Sequence, residues 1–504
     1  MSIAKILPKI CAFAGIASLF ALAGCGGGSG MVTTHQTGNF SNASLTGSYV
    51  FQIRGFLTTT PYREIGVITA DGAGNITAGI DDLNTVGLGG AIQSTAAITG
   101  TYNISADGTG QMLLSSTTLG SLASVSQISL AITMVSTSKV ELMEADTFAE
   151  GAGDAELQGS VSAPSGAFVF GLHQEVNANT GAASSEVGLL NISGGTLSGN
   201  FDQNLTSASS SLTLSGSANA PSTQGVGTGT YTDSASATTN FVYFVVNSGK
   251  FVFLVTDSGA VGSGTAELQS GTVSGGLSGT YVFGTRGDDT NFFADIATVG
   301  RFTASGATIS AGSLDNMNEG SYSQQISFTG SPTTGSSNPS SSGRVAITLS
   351  VSSSSIPAVF WMVSPSRAYF LFESVASAED GTADLQTTSS FSNSTLNGQF
   401  AMLMDGIDTN PEGVARIGTI QFDGNTKSTV VELVNDSATG SGATNPGALG
   451  GTYGITPAGR ASVTVSNGGG ALDLILYSIS SSQAYALQID QGSNTVGTVE
   501  LQPQ

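Results

Sequence analysis

Few side chains in this sequence could do covalent or metal chemistry. There are two histidines, His35 and His173, and two cysteines, Cys11 and Cys25. That count excludes a metal cage of Cys and His ligands. A catalytic histidine needs a serine and an acid nearby. His35 lies in a Gly/Ser/Thr-rich stretch, and nothing local to His173 marks such a set. His173 instead occupies a place that related segments fill with Arg54, Arg286 and Asp405, so it reads as an outward polar residue on a strand. Oxygen ligands are what remains. Asp82 and Asn84, in Asp81-Asp82-Leu83-Asn84, and Asp202 and Asn204, in Asp202-Gln203-Asn204, are the candidate ligand residues. Calcium wants six to eight converging oxygens, but this spacing matches no calcium loop, and Asx residues after strands commonly make turns. Two carboxylates could run glycoside hydrolysis. Asp288-Asp289 and Asp405/Asp408 are possible pairs, yet both fall after strands, where solvated loops are expected. No cofactor is implied.

These residues sit in an unusual background. The chain has 504 residues, enough for roughly three to four domains. Charged residues are 10%, against about 25% in ordinary soluble domains. Glycine is 69 of 504, and 39% of residues are hydrophobic, which is enough to build cores. Net charge is −22, with 35 acidic and 13 basic residues. Such a chain is repelled by phosphate backbones, and no basic stripe interrupts it, so nucleic acid is not an expected partner.

The N-terminus reads as an address. Lys5 and Lys9 precede an apolar run from Ile10 to Ala23, too short to span a bilayer but right for a signal peptide. Leu22-Ala23-Gly24-Cys25 resembles the lipobox of bacterial lipoproteins. The resemblance implies cleavage after residue 24 and lipidation of Cys25. With Gly26 next, and no aspartate, it also implies anchoring to the outer membrane, on its periplasmic or surface face. Cys11 would be lost with the signal, leaving no internal disulfide. Residues 25–44 are expected to be a flexible leash, with a reach of about 25 Å.

The remainder repeats. GDAELQ (153–158), GTAELQ (264–269), GTADLQ (381–386) and GTVELQ (497–502) close four segments. Each segment opens on a line such as LTGSYVFQIRG (45–55) or LSGTYVFGTRG (277–287). A second landmark follows, EIGVI (64–68), EVGLL (186–190), TVGRF (298–302) or RIGTI (416–420). Units of this length are whole domains rather than solenoid repeats. The expected boundaries are 45–160, 161–271, 272–388 and 389–504. Within the first unit eight short alternating runs are separated by Gly, Asn, Asp and Ser. Hairpin signals such as Asp71-Gly72 link them. The sequence predicts an all-β chain of four tandem antiparallel eight-stranded meanders, closed as calycin-like barrels, with β-sandwiches as the alternative. Gly66, Gly188, Gly300 and Gly418 recur inside the second strand, where glycine needs a reason such as sharp bending or a close backbone approach.

Alternation along GTAELQ places Ala and Leu inward and Glu and Gln toward water. If last strand pairs with first, Glu156, Glu267 and Asp384 could meet Arg54, His173 and Arg286 across the seam, while Asp405 would face Glu500. Over residues 45–502 the chain resembles the repeated, Gly/Ser/Thr-rich lipoproteins seen in Acidobacteria. That resemblance implies an envelope location and brings no activity. The reading is a lipid-anchored, non-enzymatic envelope or surface protein of structural or interaction role. Its partners would be the membrane, through the lipid, and an envelope component or glycan. A small-ligand or glycan-binding barrel is the alternative, and a secreted hydrolase the distant one.

Overall fold

The structure is a computed structural model. It describes residues 39–503 except 178–181, 207, 290–294, 319, 334–337, 375–376, 409–412, 437–439, 468–470 and 491–492. The signal segment, Cys25 and the leash through residue 38 lie outside the described residues.

Alternating apolar residues and glycine-rich turns fold into four closed, eight-stranded antiparallel barrels. Barrel 1 runs from the strand Thr46–Leu57 to the strand Glu150–Leu157. Barrel 2 spans Gly166–Val176 to Val261–Leu268, barrel 3 Leu277–Asp289 to Ser377–Leu385, and barrel 4 Asn397–Asp408 to Ser493–Leu501. The eight barrel strands pair in sequence order, and the last pairs with the first. Barrel 1 adds a two-residue strand, Ile92–Gln93, on its third strand, and a single helical turn, Thr118–Leu122.

The seam register is the same in all four barrels. The acid of the closing strand pairs with the residue after the first aromatic of the opening strand: Glu156 with Val50, Glu267 with Val169, Asp384 with Val282 and Glu500 with Ala401. This corrects the expected seam pairs. Arg54 lies opposite Ala152, and Asp405 lies opposite Val496. The acid and the basic residue share a face but sit four positions apart.

Each barrel is filled. Tyr49, Phe51 and Ile53 enter the core of barrel 1, Phe168 and Phe170 that of barrel 2, and Tyr281 and Phe283 that of barrel 3. The closing-strand Ala is buried in all three, at Ala155, Ala266 and Ala383, and Val499 takes the same place in barrel 4. Leu268, Leu385 and Leu501 pack on their cores, while Leu157 stays at an exposed rim. The recurrent second-strand glycines meet close neighbours. A Cβ on Gly66 would lie 2.5 Å from the Phe51 ring, one on Gly300 2.6 Å from Phe283, and one on Gly418 2.1 Å from the Val431 carbonyl oxygen. Phe40 and the short turn Asn42–Ser44 cap barrel 1, so the end of the expected leash belongs to the fold.

Candidate functional site

Part of each barrel's outer face does not look at water. The outer face of the first two strands of each barrel packs on the sixth and seventh strands of the next. Val50, Ile65 and Val67 of barrel 1 meet Val242, Phe244 and Leu254 of barrel 2. Val169, Val187 and Leu189 of barrel 2 meet Val359, Trp361 and Leu371 of barrel 3. Val282, Val299 and Met317 of barrel 3 meet Ile475, Tyr477 and Leu487 of barrel 4. Ala415 and Ile417 of barrel 4 then meet Ala131, Met143 and Ala152 of barrel 1. Four barrels and four like interfaces make a closed ring.

The GTAELQ tail is the clasp of that ring. Its glutamine amide reaches forward to two backbone carbonyls of the next barrel every time. Gln158 donates to Val245 (2.8 Å) and Gln224 (3.1 Å), and Gln269 to Met362 (2.8 Å) and Ser342 (2.9 Å). Gln386 donates to Ser478 (2.8 Å) and Ala458 (3.2 Å). Gln502 closes the circle on Met134 (2.6 Å) and Asp107 (3.2 Å) of barrel 1. The neighbouring acid also crosses: Glu156 pairs with Lys250, Glu267 with Arg367 and Tyr369, Asp384 with Tyr485, and Glu500 with Lys139. The expectation that this acid faces solvent is thus overturned, because the next barrel covers it.

Three of the four candidate ligand residues work at interfaces between barrels, two of them in the same way. Asn84 donates to the carbonyls of Val255 and Ala260 in barrel 2, and Asn204 to those of Phe372, Ser374 and Ser377 in barrel 3. Asn435 does the same to Glu144, Asp146 and Ala149 of barrel 1. Asp202 accepts a two-pronged Arg344 at 2.7 and 2.6 Å and the Trp361 indole at 2.8 Å. Asp82 is buried with Gln93 as its hydrogen-bond donor, and burial pushes its carboxyl up to about 6. These four do not converge on an ion. Among the described residues, the group of ligand-type side chains close enough to share one is His173, Glu175 and Asp288.

At the centre of the ring the barrels leave a cavity of about 430 Å³, lined by all four. Six of the chain's thirteen Lys and Arg residues line it: Arg54, Arg63, Lys139, Lys250, Arg286 and Arg367. Seven carboxylates, from Glu141, Asp154, Glu156, Glu175, Glu267, Asp380 and Asp405, line it with them. Arg54 grips Asp405 at 2.7 and 2.8 Å, and Arg286 of barrel 3 pairs with the same carboxylate. Burial pushes the Asp405 carboxyl up, but the two guanidiniums outweigh it and hold it below the usual range. Arg63 pairs with Glu175, which is likewise held low against its burial by Arg63, His173 and Arg286. Asp405 and Asp288, expected in solvated turns, are 6% and 5% exposed. The side chains of Asp289 and Asp408 lie outside the described residues.

His173 does come together with a serine and acids, by folding rather than by sequence. Its Nδ1 lies 2.7 Å from Asp380 and 3.2 Å from Ser185 Oγ, and its Nε2 lies 2.9 Å from Asp288. Burial lowers its pKa, but the two aspartates outweigh this and raise it to about 10. With a carboxylate on each nitrogen the ring is an imidazolium, and both nitrogens donate. It cannot take the Ser185 proton, which goes to Asp380 at 2.7 Å, and Ser185 is fully buried. The set is a charge-paired lock, unlike a nucleophile and its base. The same pairing occupies the three groups that could have held a metal. Cations and carboxylates thus gather together at the centre of a strongly acidic chain.

No family model and no curated protein sequence matches the chain. Among solved structures it is similar to intact Ap-TbpB with its N and C lobes, at 9% identity over 72% of this chain and 84% of that one, with a TM-score of 0.17. It is similar also to the vaccine antigen transferrin binding protein B of Haemophilus parasuis, in its Trp-176-Ala form, at 9% identity over 73% and 83%, with a TM-score of 0.18. Superpositions this slight carry no conclusion about this chain.

Proposed function

We propose that this is a lipid-anchored, non-enzymatic protein of the cell envelope, in which the four barrels act as one rigid head on a short leash. The observation that supports this most is the closed ring with its central lock. Six of the thirteen Lys and Arg residues gather where the barrels meet, and they are paired there with carboxylates. An active site would instead present an unpaired acid, base or nucleophile to a substrate. The signal segment and the lipobox-like Leu22-Ala23-Gly24-Cys25 support export and anchoring through Cys25. More than one acyl chain makes such an anchor stable. Fractionation of cells carrying the wild type or Cys25→Ser tests the reading. Wild type is expected with the outer membrane and the variant in the soluble fraction, and an unchanged distribution contradicts the anchor.

One observation favours a second reading, in which the head binds a small polar ligand such as a glycan. Between its charges the central cavity shows Gln52, Thr265, Thr285 and Thr498, which are groups suited to hydroxyls. A glycan screen on residues 39–504 distinguishes the two. Binding that Thr265→Val abolishes would establish the second reading.

A further inference from the structure

Barrels 1 and 4 close one mouth with a leucine and a tyrosine, barrel 3 keeps the leucine, and barrel 2 has neither. In barrel 1, Leu45 is 1% exposed and plugs the mouth two residues before Gly47. Tyr102 packs beside it, and its hydroxyl donates to the Leu45 carbonyl at 2.7 Å and to that of Asn42 at 3.1 Å. Barrel 4 repeats this with Leu396 and Tyr453, at 3.0 Å to Leu396 and 2.9 Å to Asn393. Barrel 3 keeps the leucine as Leu277, fully buried.

Strand register identifies the corresponding residues in barrel 2. Gly47 pairs with Ala70 and Gly166 with Ile192, so Pro164 stands where Leu45 does. Ile76 pairs with Gly100 and Leu197 with Gly216, so Ala218 stands where Tyr102 does. Both plugs are cut back in the same barrel. The result is a cavity of about 330 Å³ that includes Pro164 and Ala218 in its wall.

We infer that the mouth of barrel 2 is a binding site for a small, neutral, apolar molecule of about ten non-hydrogen atoms. A cavity of about 330 Å³ has room for a molecule of that size. The chemistry follows from the wall. Leu190, Ile192, Leu197, Phe241, Tyr243 and Phe251 form it, and no charged side chain lines it. Two of its polar side chains are already engaged within the protein: Tyr243 donates to the Asn219 carbonyl at 2.6 Å, and Asn219 Nδ2 to Thr228 at 2.9 Å. A charged head group would find no partner there, and an apolar body would regain the dispersion contacts that an empty cavity forfeits. Concave, mostly apolar pockets of this size are the usual form of small-molecule sites.

The test is calorimetric titration of 1-octanol into the full chain carrying Cys25→Ser, which keeps detergent out of the experiment. One molecule of octanol per chain is expected, with a negative heat-capacity change. Restoring either plug, by Ala218→Tyr or Pro164→Leu, is expected to weaken binding at least tenfold. Removing the barrel 4 plug by Tyr453→Ala is expected to add a second, weaker site. Absence of heat for the unplugged chain at every temperature tried, up to the solubility of octanol, would overturn the proposal, whatever the variants do. So would undiminished binding in a folded variant with either plug restored.

Discussion

Asp405 is the residue on which the centre of the ring turns, since arginines from barrels 1 and 3 both close on it. Asp405→Asn takes from Arg54 the carboxylate it grips and removes one partner of Arg286, which is only 12% exposed. Breaking a pair of this kind costs about 3 kcal/mol, less here because Arg54 is 40% exposed. Urea unfolding should show that loss at pH 7. Because the carboxyl is held low, its contribution is present above about pH 4 and disappears as pH falls through its folded-state value, so the variant and wild type should converge in acid. Glu186 behaves in the opposite sense. Burial inside barrel 2 raises it to about 7, offset in part by hydrogen bonds from Gln203 and Tyr231. The folded state then holds a proton that the unfolded state has released, and stability falls as pH rises from about 4 to about 7. Glu186→Gln should remove that slope and stabilise the protein at pH 8 by about 3 kcal/mol, measured by denaturant titration at several pH values. Alignment of the repeats brought Arg54, His173, Arg286 and Asp405 to one position from sequence alone. What they touch was not legible, because Arg54 and Asp405 lie 351 residues apart and alternation says which face a side chain takes but not what covers that face.

The closing strand shows the same limit at the scale of an element. Its period of two, its position at the end of each unit and its buried Ala could be read from GTAELQ and its copies, and with them the meander and the count of barrels. The Glu and Gln seemed bound for water because the period only excludes them from the core. In the structure they are the clasp. Gln269→Ala leaves the carbonyls of Met362 and Ser342 without their donor. A loss of about 1–3 kcal/mol is expected from thermal or denaturant unfolding. The glycine of the second strand was legible as a place of close approach, though whether a ring or a backbone carbonyl fills the space differs from barrel to barrel. The plugs at the mouths could not be paired from the sequence, since Ala218 corresponds to Tyr102 only once strand register is known.

At the scale of the whole molecule, four repeats make one body. The ring closes because every interface uses the same faces, so the forward surface of barrel 4 fits the rear surface of barrel 1 as each earlier barrel fits its successor. Gln502 and Glu500 on Met134 and Lys139 are the last turn of that repetition. A closed ring has no free barrel, which explains how units with no disulfide and few charges stabilise one another, each burying two apolar faces. Small-angle X-ray scattering of residues 39–504 measures this most directly. A closed, compact ring predicts a radius of gyration of about 23 Å, the value expected for a globular chain of that length. A value half as large again, with the profile of an extended string of barrels, would contradict it.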